Sequence, residues 1–190
     1  MSSIILDLDY TLLDTARFKA ALSRALEMPV AAYDQAYQGF VQDNGLFEPK
    51  AFLEGVTTAQ QTAFYVVLKK MRSFLYPDTL PFLRQLQQQH WKVTIITYGN
   101  QAWQQSKLDG LTFSSDITTI ATEQSKIKVW KKLTLDAITV AVDDKATEID
   151  AIQKLYPAVQ CYWIKRPNGR YHDRPTTPHH VIHQLTDITI

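Results

Sequence analysis

The sequence predicts an α/β fold: a doubly wound parallel sheet with a helical cap inserted after the first strand. Three observations carry this. The chain opens on an unbroken apolar run, Ile4-Ile5-Leu6, that ends in carboxylates at Asp7 and Asp9. A run apolar at every position reads as a strand covered on both faces, as in a parallel sheet. From residue 76 onward, β-rich runs alternate with amphipathic segments, the pattern of strand–helix–strand units with right-handed crossovers. Between these two regions, residues 17–75 show helical periodicity alone. At 190 residues the chain is long enough for one ordinary domain plus an insertion. The expected organisation is a core of residues 1–15 and 76–190 with a helical cap over 16–75.

Each element has its own signal. Phe18, Ala21, Leu22 and Ala25 share one face of a helix from about Thr15 to Leu26. Met28-Pro29 ends it, because the residue before a proline avoids helical backbone. Tyr33, Ala36, Tyr37 and Phe40 align a second helix over 32–41, closed by Asn44-Gly45. Helical pieces follow over 49–55 and 58–74, the latter with Phe64, Val67, Leu68 and Met71 on its inward stripe. Tyr76-Pro77-Asp78 opens a helix running to about His90, a place where proline is tolerated. Residues 91–97 (Trp-Lys-Val-Thr-Ile-Ile-Thr) form a β-branched strand, broken by Tyr98-Gly99-Asn100. Then come a helix over 101–108, a strand over 116–121, a helix over 126–133, a strand over 138–142, a helix over 145–156 and a strand over 159–164. Residues 166–178 read as loop and 181–185 as a short turn or helix.

Composition narrows the function. Lys plus Arg is 20 and Asp plus Glu is 19, a formal net charge of +1, so there is no electrostatic footprint for nucleic acid. No run approaches the ~18 apolar residues of a membrane span. The single cysteine, Cys161, excludes an intrachain disulfide and a cysteine-based zinc cluster. With a start, Met1-Ser2-Ser3, that lacks the basic lead of a signal peptide, it fits a cytoplasmic location.

The strand ends carry the chemistry. A buried strand does not end in two carboxylates unless they are paired, neutralised or bound to a metal. Ligands of open parallel sheets bind beyond the carboxyl ends of the strands. Asp7 and Asp9 stand at the first such end, Thr97 at the second, and Asp143-Asp144 at the fourth, with Glu148 a helical turn on. A lysine, Lys126 or Lys128, begins the preceding helix. The set suits phosphoryl transfer. Asp7 is placed to attack phosphorus and form an aspartyl-phosphate. Asp9 can protonate the leaving alcohol and later activate water. Asp143 and Asp144 offer the oxygen ligands Mg²⁺ prefers. Thr97 and the lysine can bind and neutralise the phosphoryl group.

Asp7-Leu8-Asp9-Tyr10-Thr11, Thr97 at a strand end, a downstream lysine and Asp143-Asp144, in that order, resemble the four motifs of the haloacid dehalogenase-like (HAD) superfamily. The likeness spans nearly the whole chain, and the helical block is similar to that superfamily's C1-type cap. It implies a Rossmann-like core and a Mg²⁺-dependent phosphatase acting on a small phosphorylated molecule. Asp7 would be the nucleophile and Asp9 the acid/base. Thr97, the adjoining Tyr98 and Lys126 would bind phosphate. The metal would sit on Asp144, Asp7 and the Asp9 main-chain carbonyl, with Asp143 close by. The chain departs from the pattern in three places. Tyr98-Gly99-Asn100 follows Thr97 where Asn-Gly is common. Ser125-Lys126-Ile127-Lys128 offers two lysines, of which Lys126 is preferred. Glu148 replaces a more usual aspartate.

Other features have plainer readings. His179, His180 and His183 lack metal-site spacing and read as surface; Cys161 reads as a buried thiol. Aromatics of the helical block, Phe18, Tyr33, Tyr37, Phe40 and Phe64, are first of all packing. Arg166 and Arg170 could meet an acidic substrate or simply face solvent. The alternatives to a phosphatase are a phosphomutase, a C–halogen hydrolase, which needs neither Asp9 nor Mg²⁺, and a non-catalytic phosphate- or protein-binding module. A receiver domain fails on chain order, because the acidic pair here follows the lysine.

Overall fold

The computed structural model describes residues 2–189. Six strands, β1 (Ser2–Leu6), β2 (Lys92–Tyr98), β3 (Ile117–Thr122), β4 (Ile138–Asp143), β5 (Gln160–Ile164) and β6 (His180–Ile182), form one sheet in the order β3-β2-β1-β4-β5-β6. All five pairings are parallel. The first strand is therefore central, and the order of the strands reverses between β1 and β4, where ligands of such sheets bind.

Among the described residues, eight α-helices accompany the sheet: α1 (Thr15–Ala25), α2 (Val30–Asn44), α3 (Pro49–Phe52), α4 (Thr58–Leu68), α5 (Thr79–Gln88), α6 (Gln101–Leu111), α7 (Lys126–Trp130) and α8 (Ala146–Leu155). The first four, with a 3₁₀ turn at Met71–Phe74, are the only regular elements between β1 and α5.

The apolar run of β1 is explained by its surroundings. Ile4 and Leu6 pack on one face with residues of α1, α4, α5 and α6, including Leu22, Phe64, Phe82 and Leu108. Ile5 packs on the other face with Ile96, Trp130, Ile149, Ile152 and Trp163. From Ile4 to Leu6 successive side chains alternate between two apolar layers, so none of these three positions is free to be polar.

Two expectations need correcting. Residues 58–74 are not one helix: α4 stops at Leu68, and Met71–Phe74 follows as a 3₁₀ turn. Phe64, Leu68 and Met71 nonetheless all stay buried, so the apolar spacing continues across the break and hides it. The segment expected as a turn or helix over 181–185 instead supplies a sixth strand, with Tyr162↔His180 and Ile164↔Ile182 in register, before a 3₁₀ turn at Leu185–Asp187. Three residues on a sheet edge are too few to show alternation in the sequence.

Candidate active site

The site is built where β1 and β4 end side by side. The backbone N–H of Asp7 extends the ladder by donating to the Val142 carbonyl at 3.0 Å. The chain then folds back tightly, with Leu12 N and Leu13 N donating to the Leu8 carbonyl at 3.0 and 2.9 Å. Tyr10 takes a left-handed φ of 57°. Leu8, Leu12 and Leu13 are fully buried, so the turn is nailed into the core while Asp7 and Asp9 line the cavity above the sheet.

Asp7, Asp143 and Asp144 each bring a carboxylate oxygen within 4.8 Å of the others. Lys126 is buried at the start of α7 and ion-pairs with Asp7 and, at 2.7 Å, with Asp143. Asp143 also accepts from Lys145 N at 2.9 Å. The main-chain carbonyl of Asp144 accepts from the Trp163 indole at 2.8 Å, which fixes its backbone. Its side-chain Oδ2 is buried with no hydrogen-bond partner. Lys126, at the tip of the helix, is thus the lysine in the cluster, and Lys128 is exposed.

The electrostatics follow from this crowding. Burial, opposed by Lys126 and reinforced by Asp143, raises Asp7 to about 7. Burial together with Asp7 and Asp143 pushes Asp144 to about 9. Lys126 is held above its ordinary value, because Asp143 and Asp7 outweigh the opposing effect of its burial. Carboxylates that draw protons in this way compete for a divalent cation, which would displace those protons. The orphaned Asp144 oxygen and the oxygen-only donor set fit a hard ion such as Mg²⁺.

Asp9 is held differently. Its Oδ2 pairs with Lys107 Nζ at 2.5 Å and its Oδ1 accepts from the Thr15 hydroxyl at 2.9 Å. Burial pushes the group up, but Lys107 and then Thr15 outweigh it and hold it below its ordinary value. Its carboxylate is therefore engaged away from the three-acid cluster. Sequence reasoning missed Lys107. The signal was there: Trp103, Gln104, Lys107, Leu108 and Leu111 form the buried stripe of α6, and Lys107, only 3% exposed, is a charge on an inward face.

Thr97 also lies at the cavity, but its hydroxyl donates to Gln104 Oε1 at 3.0 Å, while Gln104 Nε2 donates to the Tyr98 carbonyl at 3.0 Å. The unusual Tyr98-Gly99-Asn100 now has a cause. Gly99 has φ 148°, and a Cβ there would stand 2.6 Å from Gln104 Nε2. Asn100 caps α6 by accepting from Trp103 N at 3.0 Å. The side chain of Tyr98 is 49% exposed.

The remaining candidates stand outside the three-acid cluster. Glu148 pairs with Lys145 at 3.6 Å on the cavity wall. Among the described residues, the histidines contribute to no cluster that could hold a metal: His180 stacks on Tyr162, and His179 Nδ1 bonds the Thr177 carbonyl. Burial raises Cys161 to about 12, which makes it inert. Arg166 is 8% exposed and does not line the cavity. It donates to the Thr11 carbonyl at 3.1 and 2.8 Å and forks onto Asp78 at 2.8 and 3.1 Å.

The acids, Lys126 and Thr97 open into a cavity of about 440 Å³ whose far wall comes from α1, α2 and the segment after it, including Phe18, Lys19, Tyr37 and Phe47. A doubly wound sheet with an acidic cluster and a buried lysine at its switch point defines an α/β protein with a ligand site at the carboxyl ends of its strands. The family is specific: a haloacid dehalogenase-like hydrolase profile matches residues 1–155, and the chain belongs to that family. No curated protein matches it. Among solved structures it is similar to the HAD-hydrolase YfnB of Bacillus subtilis, determined bound to magnesium, with 18% identity, TM-score 0.65 and coverage of 98% of this chain and 96% of that one. It is similar to a haloacid dehalogenase-like hydrolase of Burkholderia xenovorans LB400, with 18% identity, TM-score 0.68 and coverage of 98% and 96%. It also resembles the L-2-haloacid dehalogenase PA0810, with 17% identity, TM-score 0.65 and coverage of 98% and 97%. At these identities the likeness is one of fold.

Proposed function

We propose that this hydrolase is a Mg²⁺-dependent phosphomonoesterase acting on a small phosphorylated molecule. The observation that carries this reading is the buried Asp7–Asp143–Asp144 cluster with its orphaned Asp144 oxygen beside Lys126. Such a set favours a hard cation and a phosphoryl group together. Asp144, Asp7 and the Asp9 main-chain carbonyl would hold the ion, with Asp143 beside them. When bound, Mg²⁺ neutralises charge on the phosphoryl oxygens.

The chain's own groups do the rest. An Asp7 oxygen bonds to phosphorus as the ester P–O bond breaks, and the departing alkoxide takes a proton from Asp9. Water then attacks the phospho-aspartate, gives its proton to Asp9, and phosphate leaves with Asp7 restored. Lys107 favours the ionised Asp9 that the second displacement needs. An approaching phosphate dianion raises the proton affinity that the first one needs. Lys126 stands beside Asp7 to neutralise charge on the transferring group, and Thr97 can turn its hydroxyl from Gln104 toward a phosphate oxygen. The helical block, residues 16–75, is read as a cap that closes the cavity over the substrate.

Cleavage of a C–halogen bond releases halide and requires no proton donor. The paired Asp9 and the third carboxylate, Asp144, favour the phosphate ester over that chemistry. The test is turnover of an aryl phosphate with Mg²⁺ and with a chelator. Turnover only with Mg²⁺, abolished by Asp7→Asn in a folded protein, is expected. Metal-independent turnover, or full activity in Asp7→Asn, overturns the reading.

A further inference from the structure

The cavity holds one cationic side chain that its acids do not engage. Five acids line it (Asp7, Asp9, Asp143, Asp144, Glu148) and five bases (Lys19, Lys107, Lys126, Lys145, Arg170). Four of the bases are committed: Lys126 to Asp7 and Asp143, Lys107 to Asp9, Lys19 to Asp34 at 3.0 Å, and Lys145 to Glu148. Arg170 alone has no carboxylate within ion-pair distance among the described residues.

Arg170 is not on a loose tail. Its loop is fastened upstream by Arg166, which is locked to Asp78 and the Thr11 carbonyl. Downstream, Asp150 accepts from the backbone N–H groups of Thr176 and Thr177 at 2.8 Å and from both hydroxyls at 3.0 and 2.7 Å. Three phenols line the same cavity as Arg170. Tyr171 lies beside it, with Arg170 Cζ 5.7 Å from its ring centroid. Tyr10 and Tyr37 line the cavity from the turn after β1 and from α2. Burial raises all three phenols, and Arg170 is near enough to act against the rise in each. None of the three hydroxyls has a hydrogen-bond partner among the described residues, yet all belong to residues lining the cavity.

We infer that Arg170, with the hydroxyls of Tyr10, Tyr37 and Tyr171, forms a second anion subsite, so that the substrate is a phosphate ester whose leaving group itself carries a carboxylate or a second phosphate. This rests on the phosphatase reading of the acidic cluster. The unpaired guanidinium offers donors only and a fixed positive charge, and three phenolic O–H groups can donate beside it, which suits an oxyanion. The cavity is large enough to hold both ends of a small metabolite.

The test compares matched pairs that differ in the second group: phosphoglycolate against ethyl phosphate, 4-carboxyphenyl phosphate against 4-methylphenyl phosphate, and glycerol 1,3-bisphosphate against glycerol 3-phosphate. For at least one pair the acidic member is expected to have kcat/KM roughly 10- to 100-fold above its neutral match, as a charge-assisted hydrogen bond supplies. That ratio should fall toward one in Arg170→Gln and recover in part in Arg170→Lys. The pair that shows it separates a carboxylate from a phosphate. Binding is read in parallel as the thermal shift given by phosphonoacetate and by ethylphosphonate with Mg²⁺. A shift specific to phosphonoacetate that is lost in Arg170→Gln, with no ester turned over, keeps the subsite and discards the phosphatase reading. Turnover with ratios near one, or ratios equal in wild type and Arg170→Gln, overturns the subsite.

Discussion

Lys107 reaches from α6 to Asp9, ninety-eight residues earlier in the chain, and the 2.5 Å contact between them sets the charge of the second motif acid. Removing the lysine leaves Asp9 without its main counter-charge. Lys107→Met is expected to destabilise the fold by about 2–4 kcal/mol at pH 7, at the lower end because a quarter of the Asp9 side chain meets solvent (25%). The sign with pH follows from the depressed Asp9. In the wild type this group stabilises above its unfolded pKa, and that contribution is lost as pH falls through the lower folded value. Without Lys107, burial raises Asp9 instead. The difference between variant and wild type should therefore be larger at pH 7 than at pH 4 in denaturant titrations, and an equal difference at both would contradict the pairing.

The three-acid cluster gives the opposite slope. Asp144 is raised from 3.8 to about 9, so without metal the folded chain holds a proton that the unfolded chain has lost across that window. This group's contribution to stability is full below about 4 and falls as pH rises toward 9. Mg²⁺ competes with that proton, so the rise in Tm on adding Mg²⁺ should grow between pH 6 and pH 9. It should vanish in Asp144→Asn.

Gly110 lies where α6 meets the end of α4. A Cβ there would stand 2.3 Å from the Leu68 carbonyl oxygen and 2.9 Å from Met71 Cγ. The carbonyl belongs to the backbone and cannot swing aside. Gly110→Ala is expected to cost about 1–3 kcal/mol, although alanine ordinarily favours a helix. A gain in Tm would show that the helices part without cost.

Arg166 joins three distant parts of the chain, the turn after β1, the start of α5 and the tail after β5. Arg166→Met leaves the Asp78 carboxylate and the Thr11 carbonyl without their main donor, at a cost of about 3–5 kcal/mol. Limited proteolysis of the variant should cut first within residues 166–178, because this is the loop that loses an anchor.

The central sheet and the acidic cluster were legible because both obey short-range rules. An apolar run with no polar face marks a buried strand, and carboxylates at its end mark a ligand site. Lys126 stood out from Lys128 by its place at the helix tip. The features that stayed hidden depend on partners remote in sequence. Lys107 is a charge whose excuse for being buried lies 98 residues away. Arg166 reads like any surface arginine until Asp78 and the Thr11 carbonyl meet it. Thr97 was expected to face phosphate, and its present partner, Gln104, is visible only once Gly99 lets the helix close in. The sixth strand has meaning only as the neighbour of β5.

The placement of β1 has a consequence for how the molecule comes to exist. Ser3 pairs with Lys92 on one side and Ser2 with Ile138 on the other, so the strand made first is flanked by strands made far later. In a growing polypeptide Asp7 precedes Lys126 by 119 residues and its two acidic companions by 136 and 137. Such long-range parallel pairing is slow to form. During synthesis the unpaired first strand must be kept from other sheet edges until the fourth strand arrives, and the acidic cluster is complete only then.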